Sequence, residues 1–161
     1  MARVRENVAA VNPGAVVIEA ASPLAVDDPS AIKGKRVVCV EDGPTVTHGE
    51  MALGAASLAA ERFGAAEVVD PRPYLVGTLK ETFAKYPHLE KVVPAMGYGG
   101  QQVADLEATL NAVPADVILS GTPIRLSHLI RSQKPIVAVT YELEVVSGPG
   151  VAQILRERLG I

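Results

Sequence analysis

Short apolar runs punctuate the chain, and each one ends in polar or glycine-rich sequence. Val37-Val38-Cys39-Val40, Val117-Ile118-Leu119 and Ile136-Val137-Ala138-Val139 are the clearest, with briefer runs at Val16-Val17-Ile18, Val68-Val69 and Val92-Val93. Unbroken apolar runs of this length mark parallel strands buried on both faces. Between them the spacing turns helical: Val4, Val8 and Val11 share a face ahead of Asn12-Pro13-Gly14, and Val103, Leu106 and Leu110 share another. The pattern predicts helices over 3–11, 49–63, 79–86, a stretch ending at Ala112, 124–131 and 151–159. It predicts strands over 16–20, 36–40, 67–69, 92–93, 116–120 and 135–139. Residues 22–29, with two prolines and the pair Asp27-Asp28, read as a linker. Strands alternating with helices imply an α/β fold, a mostly parallel sheet with helices on both faces in a Rossmann-like three-layer sandwich. The opening helix and strand have no earlier partner and read as the last unit of something larger.

Composition narrows the function classes. The 161 residues suit one domain with a sizeable core, and a net charge of -3 with no Trp, two Phe and four Tyr argues against nucleic-acid binding. Cys39 stands alone, which excludes an intrachain disulfide and fits a reducing, cytoplasmic setting. There is neither a membrane-length apolar stretch nor a signal-peptide core.

Chemistry gathers after the strands. If the strand ends face one way, they share a rim where ligands of open α/β sheets bind. The first supplies Glu41, Asp42, Thr45, Thr47, His48 and Glu50; the second Asp70 and Arg72; the third Tyr98 and Gln102; the fourth Ser120 and Thr122. Thr47-His48-Gly49 and Gly97-Tyr98-Gly99-Gly100 are each expected just before a helix, where free N–H groups attract anions. Ser120-Gly121-Thr122-Pro123 follows the same logic, with proline at the first helical position. The same residues have plainer readings. Thr45, Thr47 and Ser120 can be simple caps, the glycines can serve turns, and Glu41 and Asp42 can form a turn or pair with Arg72 instead of holding Mg²⁺ through water. His88 and His128 read as surface residues. The chain lacks a Gly-x-x-x-x-Gly-Lys-Ser/Thr phosphate loop, a dinucleotide fingerprint in register, a Cys/His zinc cluster and a Gly-x-Ser-x-Gly elbow.

Five blocks carry a resemblance: Val40-Glu41-Asp42-Gly43-Pro44-Thr45-Val46-Thr47-His48-Gly49, Val69-Asp70-Pro71-Arg72-Pro73-Tyr74, Lys85-Tyr86-Pro87-His88, Pro94-Ala95-Met96-Gly97-Tyr98-Gly99 and Gly121-Thr122-Pro123-Ile124. In order along the chain, they resemble the carboxy-terminal part of a family of predicted GTPases similar to cyclic 2,3-diphosphoglycerate synthetase, which closes a phosphoanhydride at the expense of ATP. The resemblance implies that residues 1–30 are the tail of a preceding phosphate-loop domain and 31–161 a carboxy-terminal α/β domain. It also implies an ATP- or GTP-dependent ligase-like or phosphoryl-transfer enzyme whose nucleotide is bound mainly outside this chain. The substrate would then be a phosphorylated small acid. Asp42, His48 and Arg72 would be catalytic, His48 as hydrogen-bond donor or proton shuttle, and Glu41 and Asp42 would hold Mg²⁺. Thr45, Thr47, Gly49, Gly97, Tyr98, Gly99, Gly121 and Thr122 would bind the substrate. Two positions depart from the family pattern: Glu50 replaces a small residue, often glycine, and Arg125 an acid. The alternative is a non-catalytic assembly or regulatory module whose rim, with Met96 and Tyr98, packs against the missing part or a sister subunit in a homo-oligomer.

Overall fold

The strand β3 (Arg36–Asp42) is the axis of the fold, and its apolar run is what makes it so. Side chains alternate across a strand, so Val37 and Cys39 face one layer while Val38 and Val40 face the other; all four are fully buried. Burial of each such side chain contributes about 1.5–3 kcal/mol. In the computed structural model, which describes residues 1–97 and 99–160, the chain forms two units: Leu24–Thr140, and Met1–Pro23 with Tyr141–Ile161. The sequence reading drew its division between residues 30 and 31.

The larger unit holds a six-stranded sheet in the order β2 (Leu24–Val26), β7 (Ile136–Tyr141), β6 (Val117–Gly121) and β3. The far edge of β3 is shared by β4 (Glu67–Val68) and β5 (Val92–Ala95). Pairings of β3 with β4, β5 and β6, and of β6 with β7, are all parallel. Helix α3 (Ala55–Arg62) packs against the Val37 and Cys39 face through Ala56, Ala59 and Ala60. Helix α5 (Gly100–Ala112) covers the Val38 and Val40 face through Leu106 and Leu110. Helix α4 (Thr78–Lys85) sends Leu79 into that second cluster and Phe83 into the first. This is the mostly parallel, Rossmann-like three-layer sandwich. The start of β3 is pinned to that of β6 by Asp116, which accepts from the Arg36 N–H at 2.9 Å and from its guanidinium at 2.8 Å.

Strand length decides where the loops lie. β4 pairs only with Arg36 and Val37, after which β5 takes the same edge beside Cys39 to Asp42. β4 therefore ends about five residues, or ~16 Å, before β3 does. The expected rim of four strand ends is a rim of three on this side of the molecule: β3, β5 and β6.

Several expected elements are redrawn. The helix expected over 49–63 is shortened to α3, and a separate single turn, α2 (Gly43–Thr47), precedes it because Asp42 caps Gly43-Pro44-Thr45 at once. The expected helix 124–131 shrinks to α6 (Leu126–Leu129), with Arg125 at its cap and Pro123 left in the loop. The 22–29 linker contains β2, and β8 (Glu144–Ser147) forms where no element was expected.

In the smaller unit, β1 (Glu19–Ala21) and β8 form an antiparallel ribbon, flanked in sequence by α1 (Ala2–Val11) and α7 (Val151–Leu159). Arg5 ties α1 to the ribbon by donating to Glu19 at 2.6 Å and to the Ser147 hydroxyl at 3.3 Å. Among the described residues, no helix is long and apolar enough to cross a membrane.

Candidate functional site

The adjacent acids at the end of β3 part company. Glu41 has the parity of Val37 and Cys39, so its side chain turns under α3, where it is only 1% exposed. Its carboxylate accepts from the N–H groups of Gly54 (3.2 Å), Ala56 (3.2 Å) and Ser57 (2.8 Å) and from the Ser57 hydroxyl (2.7 Å). These are the donors that the start of a helix leaves without partners, and the charge sits at the positive end of the helix dipole. Two glycines make room for it. A Cβ on Gly121 would lie 2.6 Å from Glu41 Oε2 and 2.7 Å from the Ala56 nitrogen, and one on Gly54 would collide with the carboxylate outright. Gly121 was read as a substrate contact; it is required by the close approach of α3. Glu41 was read as a metal ligand, but both its oxygens are engaged beneath α3. The Glu41–Asp42 pair does not fit a hydrated Mg²⁺. Nearby, burial pushes the Cys39 thiol up to about 12, with the Glu41 charge adding to the effect. Cys39 stays protonated and is a core residue.

Asp42 points the other way and caps α2, its Oδ2 accepting from the Thr45 hydroxyl at 2.7 Å and the Thr45 N–H at 3.4 Å. Gly43 is obligatory here, since a Cβ would strike the Ala95 carbonyl. That contact brings the start of α2 against the end of β5 and so places Asp42 beside the 95–97 turn.

His48 leaves the rim. Thr47-His48-Gly49 was expected before a helix but ends one instead: His48 is the C-cap of α2, and Thr47 is buried. The negative end of a helix is no anion site. The Thr47 hydroxyl donates to the Gly43 carbonyl at 2.6 Å, so the 3.1 Å contact with His48 Nδ1 has the imidazole as donor. His48 Nε2 is then the acceptor for the Tyr86 hydroxyl at 3.3 Å. The sequence alone gives no sign of Tyr86 as a partner of His48. His88, expected at the surface, is half-buried and donates through Nε2 to the Val46 carbonyl at 2.7 Å. His128 is exposed, as expected. Gly49 packs against the Thr45 carbonyl, and Glu50 follows with φ of 51°, in the left-handed region that favours glycine. A glycine-like backbone thus stands where the resemblance implies a small residue, often glycine.

Arg72 is likewise not with Asp42. Its guanidinium grips Asp70 at 2.6–2.9 Å, the bond that chiefly holds the Asp70 carboxyl below the usual range. The charges of Glu90 and Lys91, just ahead of β5, act on the same pair. Arg72 therefore stands by the beginning of β5, not its end. Among the described residues, no hydrogen bond or ion pair joins Asp42, His48 and Arg72 to one another.

At the rim itself, Gly97 and Gly99 sit under the side chain of Gln102, whose Oε1 accepts from the Gly99 N–H at 3.4 Å. Gly100 opens α5 with free space around it. Tyr98 lies outside the described residues. Gly97, Met96 and Gln102 line a small pocket that continues to Thr78, Thr82 and Leu106 between α4 and α5. On the β6 side, the Ser120 hydroxyl meets Thr122 Oγ1 at 3.3 Å; Thr122 donates onward to the Ile124 carbonyl at 2.9 Å. Asp105 is a residue that the sequence reading missed. It is buried on α5 and accepts from the Thr78 N–H (2.8 Å) and hydroxyl (2.9 Å), capping α4 as Glu41 caps α3. Gly77, with φ of 50°, is required beside it. Among the described residues, no group of three or more His, Cys, Asp or Glu side chains is placed to hold a metal ion.

No family model and no solved structure matches the chain. A curated protein does: the chain is 55% identical over 155 residues to arginine synthetase ArcE of Thermococcus kodakarensis. The match takes in 96% of this chain but 35% of that protein, so the chain spans about a third of the relative's length. It agrees with the family resemblance at the level of a synthetase, and the relative's name concerns arginine rather than a diphosphoglycerate. The chain is similar to part of a synthetase.

Proposed function

We propose that this chain is the substrate-side domain of a synthetase, and that it holds the anionic group of a small substrate where β3, β5 and β6 end. The observation that carries the reading is the 55% identity to an arginine synthetase along almost the whole chain. Support for the location comes from the fold. The N-terminal turn of α5 offers N–H groups behind Gly97, Gly99 and Gly100, and no carboxylate of the described residues caps it. Asp42 beside it provides a negative charge for a cationic part of the substrate, and Thr122 provides a hydroxyl on the opposite wall. The two ligand classes in play, a guanidino acid such as arginine, the product for which the relative is named, and a phosphorylated acid, both present a carboxylate or phosphate to such a turn. A synthetase couples bond formation to ATP or GTP with Mg²⁺. On this reading the nucleotide is held mainly outside these residues, which carry no phosphate loop. This chain's own contribution is to bind and orient the acceptor and to exclude water from it.

Calorimetric titration with arginine, 2,3-diphosphoglycerate and inorganic phosphate tests the reading and separates the classes. One ligand should bind: arginine at least tenfold more weakly in Asp42→Ala, a purely anionic ligand no more weakly there, and either with unchanged affinity in Arg72→Ala, because Arg72 lies by the start of β5. Absence of binding by all three at millimolar concentration would overturn the site.

A further inference from the structure

The unit made of the two chain ends has the surface of an interior. None of its described residues is buried. It is little more than a quarter of the chain, yet it carries twelve of the seventeen large exposed apolar side chains among the described residues. On α7, Val151, Leu155 and Leu159 recur every four residues and form one stripe, exposed by 41%, 49% and 64%. On α1, Val4 and Val11 are open, and on β8 so are Val145 and Val146. The β1–β8 ribbon has three or four residues per strand, and a two-stranded ribbon of that size is marginal alone. Nothing in the unit's own composition supplies a core, though the unit is specified in detail. Arg5 bonds both strands, and Gly148, at φ of 101°, is required where a Cβ would lie 2.6 Å from the Val17 carbonyl.

We infer that this unit is a docking module whose occupant is the remainder of a longer synthetase polypeptide, seated on the α7 stripe and extending the β1–β8 ribbon by strand pairing. The inference rests on the reading of the chain as part of a synthetase. Three observations select this occupant. About two thirds of the relative's length lies outside the match, which is ample chain to cover such a face. The match takes in 96% of this chain, so at least most of this unit has its counterpart within the longer relative. Both termini also belong to this unit, so any further polypeptide leaves from it and meets the apolar faces at high effective concentration. An open strand edge and an amphipathic helix face are two standard ways for one polypeptide to receive another.

The experiment compares hydrogen exchange in two proteins: the 161-residue chain, and a full-length polypeptide in which this chain replaces the matched part of the Thermococcus protein. Amides of 19–21, 144–147 and 151–159 should exchange at least tenfold more slowly in the full-length protein, while those of 36–42 stay alike. Leu155→Glu changes an exposed side chain and should return the 151–159 amides of the full-length protein to fast exchange. Leu58→Glu, equally exposed on α3, should not. Equal exchange of the unit in both proteins would overturn the inference. So would light scattering that shows the 161-residue chain as a dimer with this unit already protected, since a second copy would then be the occupant. Ligand titration at the rim is independent of these readouts, so failure of the docking surface and failure of the synthetase reading leave different signatures.

Discussion

The starts of α3 and α5 lie at the same edge of the same sheet and have opposite fates. α5 follows the end of β5 across a glycine-bearing turn, α3 follows β3 by way of α2 and a loop that ends in Gly54, and each helix start offers N–H groups. At α3 the protein's own Glu41 fills the position with four hydrogen bonds, and Gly54 and Gly121 clear the space for it. At α5, among the described residues, only the Gln102 amide folds back, onto Gly99, and Gly100 faces open space. A glycine-rich turn ahead of a helix thus has two meanings. One accommodates an internal anion that the fold requires, and the other leaves donors exposed. Asp105 at α4 belongs with Glu41: the protein again caps a helix from a distant element.

The comparison breaks most sharply at Glu41. Glu41→Ala strips the buried N–H groups of Gly54, Ala56 and Ser57 of their acceptor and should cost about 3–5 kcal/mol in urea unfolding. A loss under 1 kcal/mol would mean that α3 finds other partners and that its start resembles that of α5. Gly121→Ala comes next, at about 1–3 kcal/mol, because the new methyl group meets Glu41 and the Ala56 backbone. Gly100→Ala is the counterpart at α5. With nothing near the added Cβ, it should be neutral or stabilise by about 0.4–1 kcal/mol. Equal costs at Gly121 and Gly100 would erase the distinction.

The smallest effect is in the acid limb of stability. Hydrogen bonds to Asp105, first from the Thr78 N–H, hold its carboxyl below the ordinary 3.8. A group depressed in the folded state contributes stability that is present above its unfolded pKa and is lost as pH falls through the folded one. The urea midpoint of the wild type should therefore drop more steeply below about pH 4 than that of Asp105→Asn. Parallel curves would show that Asp105 is not coupled to folding.

How much of this was legible depends on range. β3, β6 and β7 follow from their apolar runs, and α4, α5 and α7 from spacing and from Pro87, Gly99-Gly100 and Gly148-Pro149-Gly150. The parity of β3 even contained the fate of Glu41, since a residue two along from Cys39 must face the same layer. The brevity of Glu67-Val68-Val69 contained the setback of Arg72. Neither signal is decisive without knowing what lies opposite. Leu24-Ala25-Val26 and Val145-Val146 give β2 and β8 only two or three apolar residues beside proline or acids, and α2 is a turn in sequence terms until Asp42 caps it.

By itself, then, the sequence determined the alternation of strands and helices, the parallel sheet and the identity of its central strand. These follow from local periodicity, which a chain carries wherever it is placed. Tertiary structure alone decided which side chains meet. It turned Glu41 inward while Asp42 stayed at the rim, carried His48 to Tyr86, left Arg72 with Asp70, and joined the two ends of the chain into one exposed unit. Those outcomes depend on which strand takes an edge and where it stops. Contacts between residues far apart in sequence largely fix that, and local patterns such as the parity of β3 record it only in part.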